Sequence, residues 1–187
     1  MANLNKAKGS KWERDIVNYL RERGYVQAER RHGAGAKLDK GDVVGIPNVT
    51  IEAKDHARFA ISDWLLQAEE ERKNAGNKYG IVIAKRRGKG APAGYVIMTQ
   101  KTFKEMLKEI SHKIHHHHVE YFKITITDWL IEAATGAGHA GLEHCVVVIT
   151  RKGDKSNEKY TITTLETFAT LAEDLAPPVF HKTKKKS

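Results

Sequence analysis

The chain has 187 residues, 40% of them apolar, and a formal net charge of +9. That is enough for one well-buried domain or two small ones, and too apolar for a disordered chain. No apolar run approaches the ~20 residues of a membrane span, and the opening "MANLNKAKGSKWE" lacks the apolar core of a secretory signal.

The first predicted element is a helix over "SKWERDIVNYLRERG". Trp12, Ile16 and Leu20 recur every four residues and form one apolar stripe, with Ser10 as the N-cap and Gly24 as the stop. "YVQAERR" reads as a strand and "HGAGAKLDKG" as a glycine-rich loop. "DVVGI" and "NVTIEAK" read as two short strands around a turn at Pro47. In the second, Val49, Ile51 and Ala53 share an apolar face, and Thr50, Glu52 and Lys54 point the other way. This strand is expected to be half-buried. "SDWLLQAEEERKNAG" is a helix ending near Gly76, and "YGIVIAK" is a continuous apolar run, hence a buried strand. "RRGKGAPAG" is a basic loop, "YVIMT" a strand and "QKTFKEMLKEI" a helix.

The second half then repeats part of the first. "ISDWLLQA" matches "ITDWLIEA", "YGIVIAKRRG" matches "HCVVVITRKG", and "YVIMTQKTFKEM" matches "YTITTLETFATL", at one constant offset of 65 residues (61 to 126, 79 to 144, 95 to 160). Three domain-level segments are expected: 1–110, a partial repeat over 111–175 copied from 57–110, and a basic tail over 176–187. Each copy reads as a helix, two strands and a helix. Charge divides the same way. Residues 1–110 hold 22 Lys+Arg against 14 Asp+Glu, residues 111–181 hold 6 against 9, and the tail adds four lysines. The first segment is suited to a polyanion, and the second is not. The single cysteine, Cys145, permits no intrachain disulfide. It lies in the apolar run "CVVVI" and reads as a core residue in a reducing, cytoplasmic setting.

Glu52 and Lys54 raise a chemical question. They form either a strand ion pair or part of a site. Asp42 begins the preceding strand, so adjacent strands would bring Asp42 and Glu52 together. Two adjacent carboxylates repel, and a divalent cation removes that cost. Mg²⁺ prefers hard oxygen ligands, activates water and stabilises charge on phosphate. Lys54 would then position the water or neutralise the phosphate. Glu13 is open to two readings, as the last residue of a Ser-x-x-Glu capping box or as a further carboxylate of the site.

"KGSKWERDIVNYLRERGY", then "GD", then "IEAK", then a helix bearing Gln67, resembles the archaeal-type Holliday junction resolvases of the PD-(D/E)xK nuclease superfamily. The resemblance covers roughly residues 6–110. It implies an α/β, restriction-endonuclease-like fold, a mixed central sheet flanked by helices, to which the 65-residue repeat appends a smaller αβ unit. It implies catalytic roles for Glu13, Asp42, Glu52, Lys54 and Gln67, with Glu13, Asp42, Glu52 and Ala53 around the metal. The expected cofactor is Mg²⁺, with Mn²⁺ as a substitute. Lys8, Lys11, Arg30, Arg31, His32, Lys37, Lys85, Arg86, Arg87 and Lys89 are the expected DNA contacts, mainly to phosphates. Gly41 stands where that family has a proline, and its loop serine has no counterpart in "HGAGAKLDKG".

The 65-residue shift puts His117 at Glu52, Val119 at Lys54 and Glu132 at Gln67. The second copy is therefore expected to be inactive. "HHHH" at 115–118 alternates faces if extended and does not form a compact metal site. "GAGHAG" at 136–141 falls between a helix and a strand, the wrong context for a dinucleotide fingerprint. Trp64 and Trp129 begin equivalent helices and read as packing residues. The expected function is Mg²⁺-dependent endonucleolytic cleavage of DNA, most of all branched DNA in recombination and repair, by a homodimer; the other arrangement open to the second copy is to pack against the catalytic unit in place of a dimer partner, which leaves a monomer with one active site that nicks. The alternatives are a restriction-like or DNA-end-processing nuclease on the same core, and a non-catalytic DNA-binding module.

Overall fold

The computed structural model describes residues 4–31, 39–111, 146–150 and 159–175. Expectations for His32, Lys37, the histidine run, "GAGHAG", Trp129, Cys145 and the tail lie outside them. The described elements are α1 (Leu4–Glu22), β1 (Glu29–Arg30), β2 (Val43–Val44), β3 (Val49–Lys54), α2 (Ile61–Ala75), β4 (Tyr79–Ala84), a 3₁₀ turn (Ala91–Ala93), β5 (Tyr95–Thr99), α3 (Gln100–Ser111), β6 (Val147–Thr150), β7 (Lys159–Thr164) and α4 (Leu165–Leu175).

The seven described strands form one mixed sheet in the order β1-β2-β3-β4-β5-β7-β6. β3 and β4 run parallel, and every other pair is antiparallel. β4 is buried along its whole length because helices cover both of its faces. Ile81 and Ile83 join a core with Trp12, Ile16 and Leu20 of α1, Phe103 of α3 and Phe168 of α4. Val82 and Ala84 join a second core with Trp64, Leu65 and Ala68 of α2. The result is an α/β, restriction-endonuclease-like architecture with helices on both sides of a mixed sheet.

Three local expectations change. Ser10 does not cap α1, because the helix already begins at Leu4. The good helix formers Lys6, Ala7 and Lys8 extend it upstream. The strand over 25–31 is confined to Glu29–Arg30, because Tyr25 and Gly24 close the end of α1: their N–H groups donate to Leu20 and Arg21 carbonyls at 3.0 Å. β3 is not half-buried. Val49, Thr50, Ile51 and Glu52 are all buried, since α1 covers one face and α2 the other. The polar face of β3 meets polar residues of α2 and its exit instead of water. Asn77 donates to Thr50 Oγ1 at 2.9 Å.

Candidate active site

The site forms where β2 meets β3 and α2 lies across them. β2 and β3 pair antiparallel at Val43 and Ile51. That register puts Asp42 beside Glu52 and Ala53. The Asp42 amide donates to the Ile51 carbonyl at 2.9 Å, and the Ala53 amide donates to Asp42 Oδ2 at 2.9 Å. Gly41 precedes Asp42 with φ +90°. A Cβ there would stand 2.7 Å from Thr50 Cγ2. Proline, fixed near φ −65°, has no place in this turn. The glycine is thus a structural requirement of this chain.

Glu52 points into the interface with α2 and is 4% exposed. Lys54 Nζ donates to Glu52 Oε1 at 2.5 Å and to Gln67 Oε1 at 2.8 Å. The Gln67 amide nitrogen donates to Glu52 Oε1 at 2.9 Å and to Glu71 Oε1 at 2.8 Å. Gln67 therefore bridges the lysine and two carboxylates, one on β3 and one on its own helix.

Glu71 is the residue that sequence reasoning missed. It is 2% exposed, and its Oε2 has no hydrogen-bond partner. In the sequence it is one of three consecutive glutamates. The available signal was its place four residues after Gln67, on the same helix face.

Burial, together with the charge of Glu52, pushes the Asp42 carboxyl up to about 7. Burial raises Glu52 to about 7 as well, with Glu71 adding to the rise and Lys54 opposing it. Glu71 is also raised, chiefly by burial. Such clustered shifts in a buried group of carboxyls mark a candidate functional site. The carboxylate oxygens of Asp42 and Glu52 are hard donors that suit a divalent cation. Among the described residues no cluster of three or more His, Cys, Asp or Glu is gathered closely enough to hold a metal by itself. A cation here would draw on two carboxylates, the Ala53 backbone and water.

Glu13 is engaged by a cation of its own. Arg30 holds it, with Nε 2.7 Å from Oε2, while the other arm of the guanidinium reaches Ser10 Oγ at 3.2 Å. Ser10 and Glu13 are joined through Arg30 and do not form a capping box. Glu13 still adds to the negative field that raises Asp42.

The basic residues fall into two groups. Arg30 is tied to Glu13, and Arg31 donates to the Lys40 carbonyl at 3.0 Å. Lys11 pairs with Asp15 on the surface of α1, and Lys8 is exposed. After β4, Lys85 pairs with Asp55 at 3.2 Å and lies over the Trp12 ring, Arg86 lies over the Tyr95 ring, and Arg87 and Lys89 are exposed. The backbone joins this second loop to the site, since the Lys85 amide donates to the Lys54 carbonyl at 2.8 Å. Trp64 is 7% exposed and packs on His56 and Phe59.

No helix among the described residues is long and apolar enough to cross a membrane. No curated protein and no solved structure matches the chain. The model of one protein family, described as "Phage putative PDDEXK endonuclease", matches residues 4–176. That span takes in α1, Asp42, the Glu52-x-Lys54 pair, Gln67 and the last helix, and the chain belongs to this family of PD-(D/E)xK endonucleases.

Proposed function

We propose that the chain is a Mg²⁺-dependent, structure-selective DNA endonuclease that hydrolyses phosphodiester bonds in branched DNA. The observation that carries this reading is the linked set of Asp42, Glu52, Lys54 and Gln67 on two adjacent strands and one helix. Asp42 and Glu52, with the Ala53 backbone, would hold the cation, and Mn²⁺ would substitute for Mg²⁺. A bound cation supplies an activated water and stabilises charge on the phosphate. Lys54 is held by Glu52 and Gln67 at the edge of the site, where its ammonium orients the attacking water or offsets the phosphate charge. Gln67 keeps that lysine from swinging away. Glu13 and Arg30 stand as a neutralised pair nearby; a phosphate reaching Arg30 would free Glu13.

Contacts from Arg31, Lys85, Arg86, Arg87 and Lys89 to phosphates would place DNA across the site with little sequence readout. Preference for branched DNA rests on the resolvase resemblance of α1 and the ExK strand. The homodimer that this resemblance implies would supply two active sites for paired cuts, but the β5–β7 strand register favours a single chain.

Cleavage of a four-way junction, a splayed arm and a plain duplex, side by side with Mg²⁺, tests the reading. Preferred cutting of the junction is expected. Equal cutting of all three would favour a restriction-like or end-processing nuclease, and binding without any metal-dependent nick would leave a DNA-binding module.

A further inference from the structure

β5 and β7 pair about a centre of symmetry. In their antiparallel ladder Tyr95 stands opposite Thr164, Ile97 opposite Ile162, and Thr99 opposite Tyr160. Under the 65-residue shift, Tyr95 becomes Tyr160, Ile97 becomes Ile162 and Thr99 becomes Thr164. Each pair therefore maps onto another pair of the same ladder, and Ile97–Ile162 maps onto itself. This is the property of a twofold contact, in which residue i meets j and j meets i.

The neighbouring elements obey the same operation. β4 meets β5 with Val82 opposite Ile97 and Ala84 opposite Tyr95. β6 meets β7 with Val147 opposite Ile162 and Ile149 opposite Tyr160. The two registers are identical after the shift. Both helices that follow begin alike. The Thr102 amide donates to Thr99 Oγ1 at 3.0 Å, and the Thr167 amide donates to Thr164 Oγ1 at 3.1 Å. Across the axis, α3 and α4 border one small void lined by Leu107 and by three equivalent pairs, Met98 and Thr163, Phe103 and Phe168, and Met106 and Leu171. On the opposite face of the sheet Val82 and Val147, and Tyr95 and Tyr160, share one apolar cluster with the central isoleucines. Two unrelated hairpins laid side by side have no reason to share a register, a helix cap and a mutual centre.

We propose that the β5–β7 contact is a dimer-type interface closed within one chain. The second unit takes the place that a second copy of the protein would occupy. An unpaired β5 would be a free edge for another chain; here β7 fills it, with Ile97 and Ile162 both fully buried. The protein then works as a monomer with one Asp42–Glu52–Lys54 site. Given the proposed nuclease reading, it cuts one strand per encounter with DNA.

Light scattering of the full chain at micromolar concentration tests the interface without reference to catalysis. A mass near 21.0 kDa is expected, and twice that mass would overturn the proposal. Amide hydrogen exchange separates a contact within the chain from one between chains. Protection of β5 and β7 should be unchanged on dilution by about a hundredfold, whereas protection that fades on dilution would overturn the proposal. For the single cut, a supercoiled plasmid carrying a cruciform is challenged with excess competitor junction after the reaction starts. Nicked circles should accumulate; linear product from one encounter would contradict the single site.

Discussion

Lys54 and Gln67 are joined by a 2.8 Å hydrogen bond that ties β3 to α2. The same glutamine donates to Glu52 and Glu71. Removing it by Gln67→Ala would leave Lys54 with Glu52 as its remaining anchor. The expected loss is on the order of tenfold to a hundredfold in kcat, with KM nearly unchanged, because positioning is lost and DNA contacts are kept. Steady-state kinetics on one DNA substrate would check this. A rise in KM at constant kcat would place Gln67 among the DNA contacts instead.

Lys54→Ala should cost more, roughly a hundredfold to ten-thousandfold in rate, as expected for a group acting on water or phosphate in the transition state. It also leaves the buried Glu52 without its cation. Single-turnover cleavage with enzyme in excess is the measurement, since it separates chemistry from product release. Near-wild-type rates would reduce Lys54 to a structural ion-pair partner.

The raised carboxyls make a signed prediction about stability. Asp42 has a folded pKa of about 7 against an ordinary value of 3.8. Between those values the folded state holds a proton that the unfolded chain has released. Stability contributed by the neutral Asp42 is therefore full below pH ~4 and is lost as pH rises through ~7. Asp42→Asn removes this loss while still offering an oxygen to the Ala53 amide. In chelator the variant should gain Tm relative to wild type as pH rises from 4 to 8, by about 2–4 °C for each kcal/mol recovered. Divalent cation should reverse the order at pH 8 by stabilising wild type alone. A Tm difference that does not change with pH would show that Asp42 is not strained in the metal-free site.

Arg87 and Lys89 are exposed on the loop that follows β4. Neutralising both should weaken binding to all DNA sequences alike and reduce the slope of log K against log salt by about 2, close to one per lost phosphate contact. Fluorescence anisotropy over a salt series would measure it. An unchanged slope would move the DNA path to another face of the protein.

The elements around the site were legible because they obey simple periodicities. β4 showed itself as an unbroken apolar run, α2 by its length and by Gly76, and β3 by alternation. The approach of Asp42 to Glu52 was foreseen as a matter of adjacent strands, and the β2–β3 register supplies it. Residues whose role depends on a distant partner were not legible. Glu13 and Ser10 fitted a local capping box, and only the fold brings Arg30 of β1 to both. Glu71 looked like one glutamate in an acidic run, and its burial follows from α2 turning a polar stripe toward the sheet. The same stripe explains why β3 carries charge yet is buried on both faces. Gly41 looked like a departure from a motif until its positive φ showed why a proline does not fit.

On the proposed reading, Asp42 and Glu52 hold a catalytic divalent cation. The most direct measurement is cleavage of a labelled four-way junction across a Mg²⁺ titration, for wild type, Asp42→Asn and Glu52→Gln, with binding measured in parallel in Ca²⁺ or chelator. Wild type should nick the DNA only when Mg²⁺ or Mn²⁺ is present. Each variant should lose at least about a thousandfold in rate while binding as tightly as wild type or slightly tighter, because a carboxylate facing phosphate has been neutralised. Undiminished cleavage by both variants, or wild-type cleavage in chelator, would contradict the assignment of the site.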